Sequence, residues 1–116
     1  MSLTLGFAAE ERARDYLKQQ GLHLIISNYR CKMGEIDLIM RDKEYFVFVE
    51  VRARSSLVHG SAIESITYSK QQKIIKTATF YLLTHGLMDK HPVRFDVVTF
   101  EGKNAGLNWV RNAFST

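Results

Sequence analysis

A chain of 116 residues is expected to form a single domain (1–116), burying roughly two thirds of its unfolded surface. With 46% hydrophobic and 24% charged residues it reads as a globular chain, and no apolar run nears the roughly 20 residues that span a bilayer. A formal charge of +4 turns the search for partners toward polyanions, and the single cysteine, Cys31, excludes an internal disulfide and a zinc cluster. The opening Met-Ser-Leu-Thr-Leu-Gly has no basic region followed by an apolar core, so neither a secretory leader nor a membrane partner is expected, and the default location is cytoplasmic.

Residues 4–20 read as an amphipathic helix capped by Ser2 or Thr4, with Leu5, Ala9, Ala13, Tyr16 and Leu17 as its apolar stripe and Gly21 as its stop. Glu10 borders that stripe. It is either a solvated carboxylate paired with Arg14 one turn on, or a group aimed at the core's edge. Leu22 to Tyr29 reads as a first strand, and the basic segment from Asn28 to Gly34, with Arg30 and Lys32, as a connection.

Residues 34–54 carry the strongest pattern: two apolar runs separated by a short charged tip. In the first, Glu35, Asp37 and Ile39 share one face and Ile36, Leu38 and Met40 the other. In the second, Phe46, Phe48, Glu50, Arg52 and Arg54 lie opposite Val47, Val49, Val51 and Ala53. That run is apolar on both faces at its start and charged on one face at its end, as in a central strand leaving a covered core for a polar cleft. A hairpin with Lys43-Glu44 at its tip sets Asp37 opposite Glu50 and Glu35 opposite Arg52. The tip lacks the Asn-Gly or Asp-Gly favoured in two-residue turns, which leaves a longer loop or a bulge open. Opposed side chains sit about 4.5–5.5 Å apart at Cβ, so a carboxylate pair there needs a cation. The sequence offers a divalent metal or Arg52, unless Glu35 takes up Arg52 in a cross-strand ion pair.

Ser55 to Thr67 reads as a loop beside the cleft, with Gly60 in it. Ser69 and Gln72 form a capping box for a second helix running to about His85, with Ile74, Ile75, Ala78, Tyr81 and Leu82 inward and Gly86 as its stop. Lys70, Lys73 and Lys76 recur along its other side, as a solvated face or as an edge that contacts phosphates. Val93 to Phe100 reads as a fourth strand, with Asp96 as a local partner for Arg94. A loop from Glu101 to Gly106 leads to a fifth strand, Leu107 to Phe114, whose Trp109 is read as packing. His23, His59, His85 and His91 have no metal-ligand spacing, and neither a nucleophile elbow nor a phosphate-binding glycine loop occurs. The carboxylate cluster is the one chemical constellation left.

The order helix, three strands, helix, strand resembles the core of restriction-endonuclease-like nucleases, which implies an α/β fold, α-β-β-β-α-β(-β), with a mixed central sheet flanked by helices. On that resemblance the acidic residue of the first helix is Glu10, the Asp of the second strand is Asp37, and the Glu-x-Lys of the third is Glu50-Val51-Arg52. From Gly6 to Phe114 the chain also resembles the YraN family of small bacterial proteins. The shared residues include Gly6-x-x-Ala9-Glu10, Asn28-Tyr29-Arg30, Gly34-Glu35-Ile36-Asp37, Val47-Phe48-Val49-Glu50-Val51-Arg52-x-Arg54, Lys70 and Arg94-Phe95-Asp96. The nuclease resemblance implies a magnesium or manganese ion held by Asp37, Glu50 and the carbonyl of Val51, with Glu10 reaching it directly or through water. It also implies hydrolysis of structured or branched DNA, in preference to RNA, by a homodimer like the archaeal Holliday-junction resolvases. Arg30, Arg54, Lys70, Lys73 and Lys76 would contact phosphates. Arg52 departs from the lysine of the pattern: a guanidinium stays protonated and cannot be a general base, although it can bind phosphate and stabilise developing charge. Two other readings stay open, a nucleic-acid-binding domain without catalysis and a protein-interaction module that keeps the fold.

Overall fold

The computed structural model describes residues 2–54, 61–102 and 106–116, with 2–7 described by backbone alone. The expected caps Ser2 and Thr4, the apolar Leu5, and the loop residues 55–60 and 103–105 therefore lie outside the described side chains or residues. Helix α1 (Ser2–Gln19) buries Ala9, Ala13 and Leu17, which recur every four residues along one stripe, with Tyr16 half-buried beside them. It ends in a Schellman arrangement. Leu22 N–H donates to the Leu17 carbonyl at 3.1 Å, and Gly21 takes the left-handed conformation (φ 101°) that glycine adopts without penalty.

Three strands follow: β1 (His23–Cys31), β2 (Gly34–Asp42) and β3 (Tyr45–Arg54). The stretch from Asn28 to Cys31 is strand, not the connection its polar composition suggests; Asn28 takes a left-handed φ of 54° without ending it. The β2–β3 hairpin has the expected register from Leu38 opposite Val49 to Asp42 opposite Tyr45, turning over Lys43 at a φ of 58°. The ladder stops there. Asp37 and Glu50 lie just beyond its last pair, and the expected pairing of Glu35 with Arg52 is not formed: Glu35 sits opposite Arg30 of β1.

A single turn of 3-10 helix at Ile63–Ser65 precedes α2 (Tyr68–Thr84). The N-cap of α2 is Thr67, whose hydroxyl accepts from Lys70 N–H at 3.3 Å; Ser69 already lies within the first turn, so the expected capping box is not used. Helix α2 buries Ile74, Thr77, Ala78, Tyr81 and Leu82, while Ile75 is only partly covered. Strands β4 (Val93–Glu101) and β5 (Gly106–Phe114) complete a five-stranded sheet in the order β1-β2-β3-β4-β5. Among the described strands only β3 and β4 pair in parallel, which requires a crossover, and α2 supplies it. The architecture is therefore α/β, with a mixed sheet between two helices.

Two apolar clusters lie on opposite faces of the sheet. Val47, Val49 and Val51 pack with Leu38, Met40, Val98 and the α1 stripe, whereas Phe46 and Phe48 pack with Ile39, Phe95, Val97 and α2. Ile36 breaks the expected alternation: it packs on the α2 side with Ile39, not with Leu38 and Met40. The side chains of β2 thus change face around Asp37, at the point where β2 parts from β3. No helix among the described residues is long and apolar enough to cross a membrane.

Candidate functional site

The parting of β2 from β3 leaves backbone groups of β3 without ladder partners, and the Asp37 side chain takes one of them. Its Oδ2 accepts from Val51 N–H at 2.8 Å, which holds the carboxylate against β3. Glu50 stands on the same strand with its side chain 7% exposed, and Asp37 is 17% exposed. The cation beside them is Arg52, whose Nη1 lies 3.2 Å from Glu50 Oε2 and 3.8 Å from Asp37 Oδ2 and donates to the Val51 carbonyl at 3.1 Å. Among the described residues no donor reaches the buried Glu50 Oε1.

This geometry sets the protonation of the pair. Burial, followed by the neighbouring charge of Asp37, pushes the Glu50 carboxyl up to about 8, with Arg52 pulling the other way. Burial also raises Asp37, against the opposing effects of the Val51 N–H and Arg52. The pair shares its protons and behaves as a unit. A carboxyl that keeps its proton at neutral pH can donate to a neighbouring carboxylate, and the Glu50 side chain is hydrogen-bonded to Asp37.

The pair forms the floor of a cleft of about 540 Å³. Its walls carry Arg30, Arg52, Lys70 and Lys73 against Glu35, Asp37 and Glu50, four cations to three carboxylates, together with Cys31, Gly34 and Ile74. Arg30 and Glu35 form an exposed ion pair at 3.1 Å on the rim. Lys70 is steadied by its Nζ donating to the Ser65 carbonyl at 3.2 Å. Helix α2 comes close to the head of β2 because Gly34 has no side chain: a Cβ there would sit 2.8 Å from Thr77 Oγ1, with Lys73 Cγ in ordinary contact at 3.5 Å.

Residues 9–100 match the model of uncharacterised protein family UPF0102. The chain belongs to that family. It is 49% identical over 114 residues to a UPF0102 protein of Legionella pneumophila, covering 98% of this chain and 97% of the relative. Family members from Stutzerimonas stutzeri (47% over 117 residues, 99% and 98% covered) and Hahella chejuensis (50% over 115 residues, 98% and 92%) match to a similar extent. The family resemblance read from the sequence therefore holds.

Of the residues singled out in the sequence, Asp37, Glu50, Arg52, Glu35, Arg30, Lys70 and Lys73 meet at this one cleft. Glu10 approaches from α1 on its flank. It bonds to the Asn28 side chain, and its carboxyl is raised by burial and then by the charge of Asp37. The alternative pairing of Glu10 with Arg14 is not formed, since Arg14 meets Glu11 and Asp15. Two expected phosphate contacts lie elsewhere. Lys76 lines a separate apolar depression with Met33, Phe80 and Leu83, and Arg54 is an exposed residue at the end of β3 outside the cleft lining. Among the described residues no three His, Cys, Asp or Glu side chains are gathered closely enough to hold a metal ion. The donors that do converge, two carboxylates and a backbone carbonyl, are the hard oxygen type that suits magnesium or manganese. Gly34 and Thr77 were not legible as site residues. The signal was Gly34 itself, a glycine opening a strand where a helix must approach.

Proposed function

We propose that this protein is a cytoplasmic, magnesium- or manganese-dependent endonuclease of restriction-endonuclease-like fold, acting on structured or branched DNA in preference to RNA and working as a homodimer. The observation that carries the reading is the meeting of two largely buried carboxyl groups, Asp37 and Glu50, in one cleft with Lys70 and Lys73 on its wall. Asp37, Glu50 and the Val51 carbonyl would hold the metal, and Glu10 would support it from the flank. When bound, the ion supplies polarisation of the phosphodiester and a lowered pKa for the attacking water. The side chains do the rest. Lys70 and Lys73 bind and orient the phosphate backbone, which positions a substrate without reading its sequence. Arg52 stabilises charge developing on the phosphoryl oxygens but cannot remove a proton from water. In the metal-free state one member of the Asp37–Glu50 pair keeps a proton near neutral pH, and metal binding would release it.

The test is cleavage of a labelled four-way junction, flap, duplex and single strand with magnesium or manganese, beside identically purified Asp37→Asn and Glu50→Gln proteins. Metal-dependent cleavage lost in both variants is the expected result; cleavage that survives both would come from a contaminant. A second reading has its own observation. Arg52 already neutralises the carboxylate pair, which is what a nucleic-acid-binding domain without catalysis would need. That reading predicts salt-sensitive binding to the same panel, unchanged by a chelator, and no cleavage.

A further inference from the structure

The guanidinium of Arg52 makes its closest contacts to the acidic pair through one nitrogen. Nη1 reaches Glu50 Oε2, Asp37 Oδ2 and the Val51 carbonyl at 3.2, 3.8 and 3.1 Å. On the metal-dependent reading, Asp37, Glu50 and the Val51 carbonyl are the groups that would hold a divalent ion. From this coincidence we infer that Arg52 and the metal compete for one position: the guanidinium is the site's built-in cation and must swing away before an ion enters. The inference rests on the metal-dependent reading above.

Three observations support it. First, two cations served by the same residues repel, so each weakens the hold of the other. Second, Arg52 holds weakly for an arginine. Its closest contacts to the pair run through Nη1 at 3.2 and 3.8 Å, whereas Arg94 grips Asp96 with two nitrogens and Asp42 with a third. Third, its side chain is 27% exposed and lines the open cleft, so it can leave by rotation of its own stem while β3 stays in place. A displaced Arg52 lies in the space where Lys70 and Lys73 are placed to meet phosphate. Phosphate that draws Arg52 away therefore favours metal entry, and metal and nucleic acid bind with positive coupling.

The experiment measures manganese binding to wild type, Arg52→Gln, Arg52→Lys and Asp37→Asn, following the signal of free manganese by electron paramagnetic resonance, with circular dichroism to confirm folding. Arg52→Gln removes the competitor and is expected to bind manganese about tenfold or more tightly than wild type. Arg52→Lys keeps a charge on a shorter reach, which cannot serve all three oxygens, and falls between them. Asp37→Asn loses binding. If Arg52→Gln does not fold, tighter binding by Arg52→Lys than by wild type carries the same support. Wild-type binding that neither arginine variant tightens overturns the competition while leaving the metal reading standing. No saturable binding in any folded protein overturns both.

Discussion

Two buried carboxylate clusters lie on neighbouring strands, and each has an arginine two residues away. On β4, Asp96 is fully buried and each of its oxygens takes two donors: Arg94 Nε and Asn112 N–H on Oδ1, Arg94 Nη2 and Trp109 Nε1 on Oδ2, all at 2.9–3.0 Å. On β3, Glu50 meets one guanidinium nitrogen at 3.2 Å and hydrogen-bonds with Asp37, and among the described residues no donor reaches its Oε1. The first cluster has no acceptor capacity left. It ties β5 to β4 and, through the 3.1 Å bond from Arg94 to Asp42, ties both to the hairpin. The second has capacity to spare and a cleft in front of it. Similar residue types two positions apart thus make a strut in one strand and a candidate site in the next, and the count of satisfied lone pairs tells them apart.

The largest effect expected from this contrast is at the strut. Asp96→Ala leaves Arg94, Trp109 Nε1 and Asn112 N–H without their buried acceptor and should cost about 3–5 kcal/mol in urea unfolding. A loss under about 1 kcal/mol would mean that the cluster is no strut. At the site the same kind of change should behave differently. Glu50 is raised from 4.5 to about 8 in the folded chain, so the native state holds its proton more tightly than the unfolded state does. Its contribution to stability is therefore greatest below pH 4.5, falls as pH rises between about 4.5 and 8, and is lost above that. Glu50→Gln removes this dependence. The difference in stability between wild type and variant should move by a few kcal/mol across that window in the variant's favour, as pH-dependent denaturant titrations would record. A flat difference would show that Arg52 satisfies Glu50 as fully as Arg94 satisfies Asp96.

Smaller effects sharpen the picture of the cleft wall. Gly34→Ala places a methyl against the buried Thr77 hydroxyl at a φ of +146°, and should cost about 1–2 kcal/mol in thermal or urea unfolding. Thr77→Ala in the same background removes the clash but not the backbone strain, so it restores only part of the loss. The smallest expected difference lies within α2. Lys73→Ala should reduce the slope of log affinity for DNA against log salt by about one, and Lys76→Ala, outside the cleft, should leave it unchanged. Equal effects would place the phosphate contact along the whole helix and away from the carboxylates.

Much of this site was legible before any coordinates. Asp37, Glu50 and Arg52 stand out because charged residues interrupt strands that are otherwise apolar on both faces, and such interruptions need a chemical reason. The hairpin register from Leu38 to Tyr45 followed from the spacing of the two runs about their tip. Other features left weaker marks. The polar segment from Asn28 to Cys31 reads as loop, yet it pairs with β2 as strand because sheet hydrogen bonding overrides composition. Thr67 caps α2 instead of Ser69 because the chain's entry into the helix, not the motif, sets which hydroxyl faces the free N–H groups.

By itself the sequence determined the elements, their order, the family and the identity of the acidic residues, since periodicity encodes which face a residue takes and spacing encodes near neighbours. Only the tertiary structure decided who partners whom. Arg52 serves Glu50 and Asp37 and not Glu35, because β2 and β3 part at Asp37 and the cross-strand alignment ends there. Asp96 is satisfied by donors from β5 that lie 13 and 16 residues away along the chain. Hydrogen bonds act over about 3 Å, and no one-dimensional pattern carries that distance.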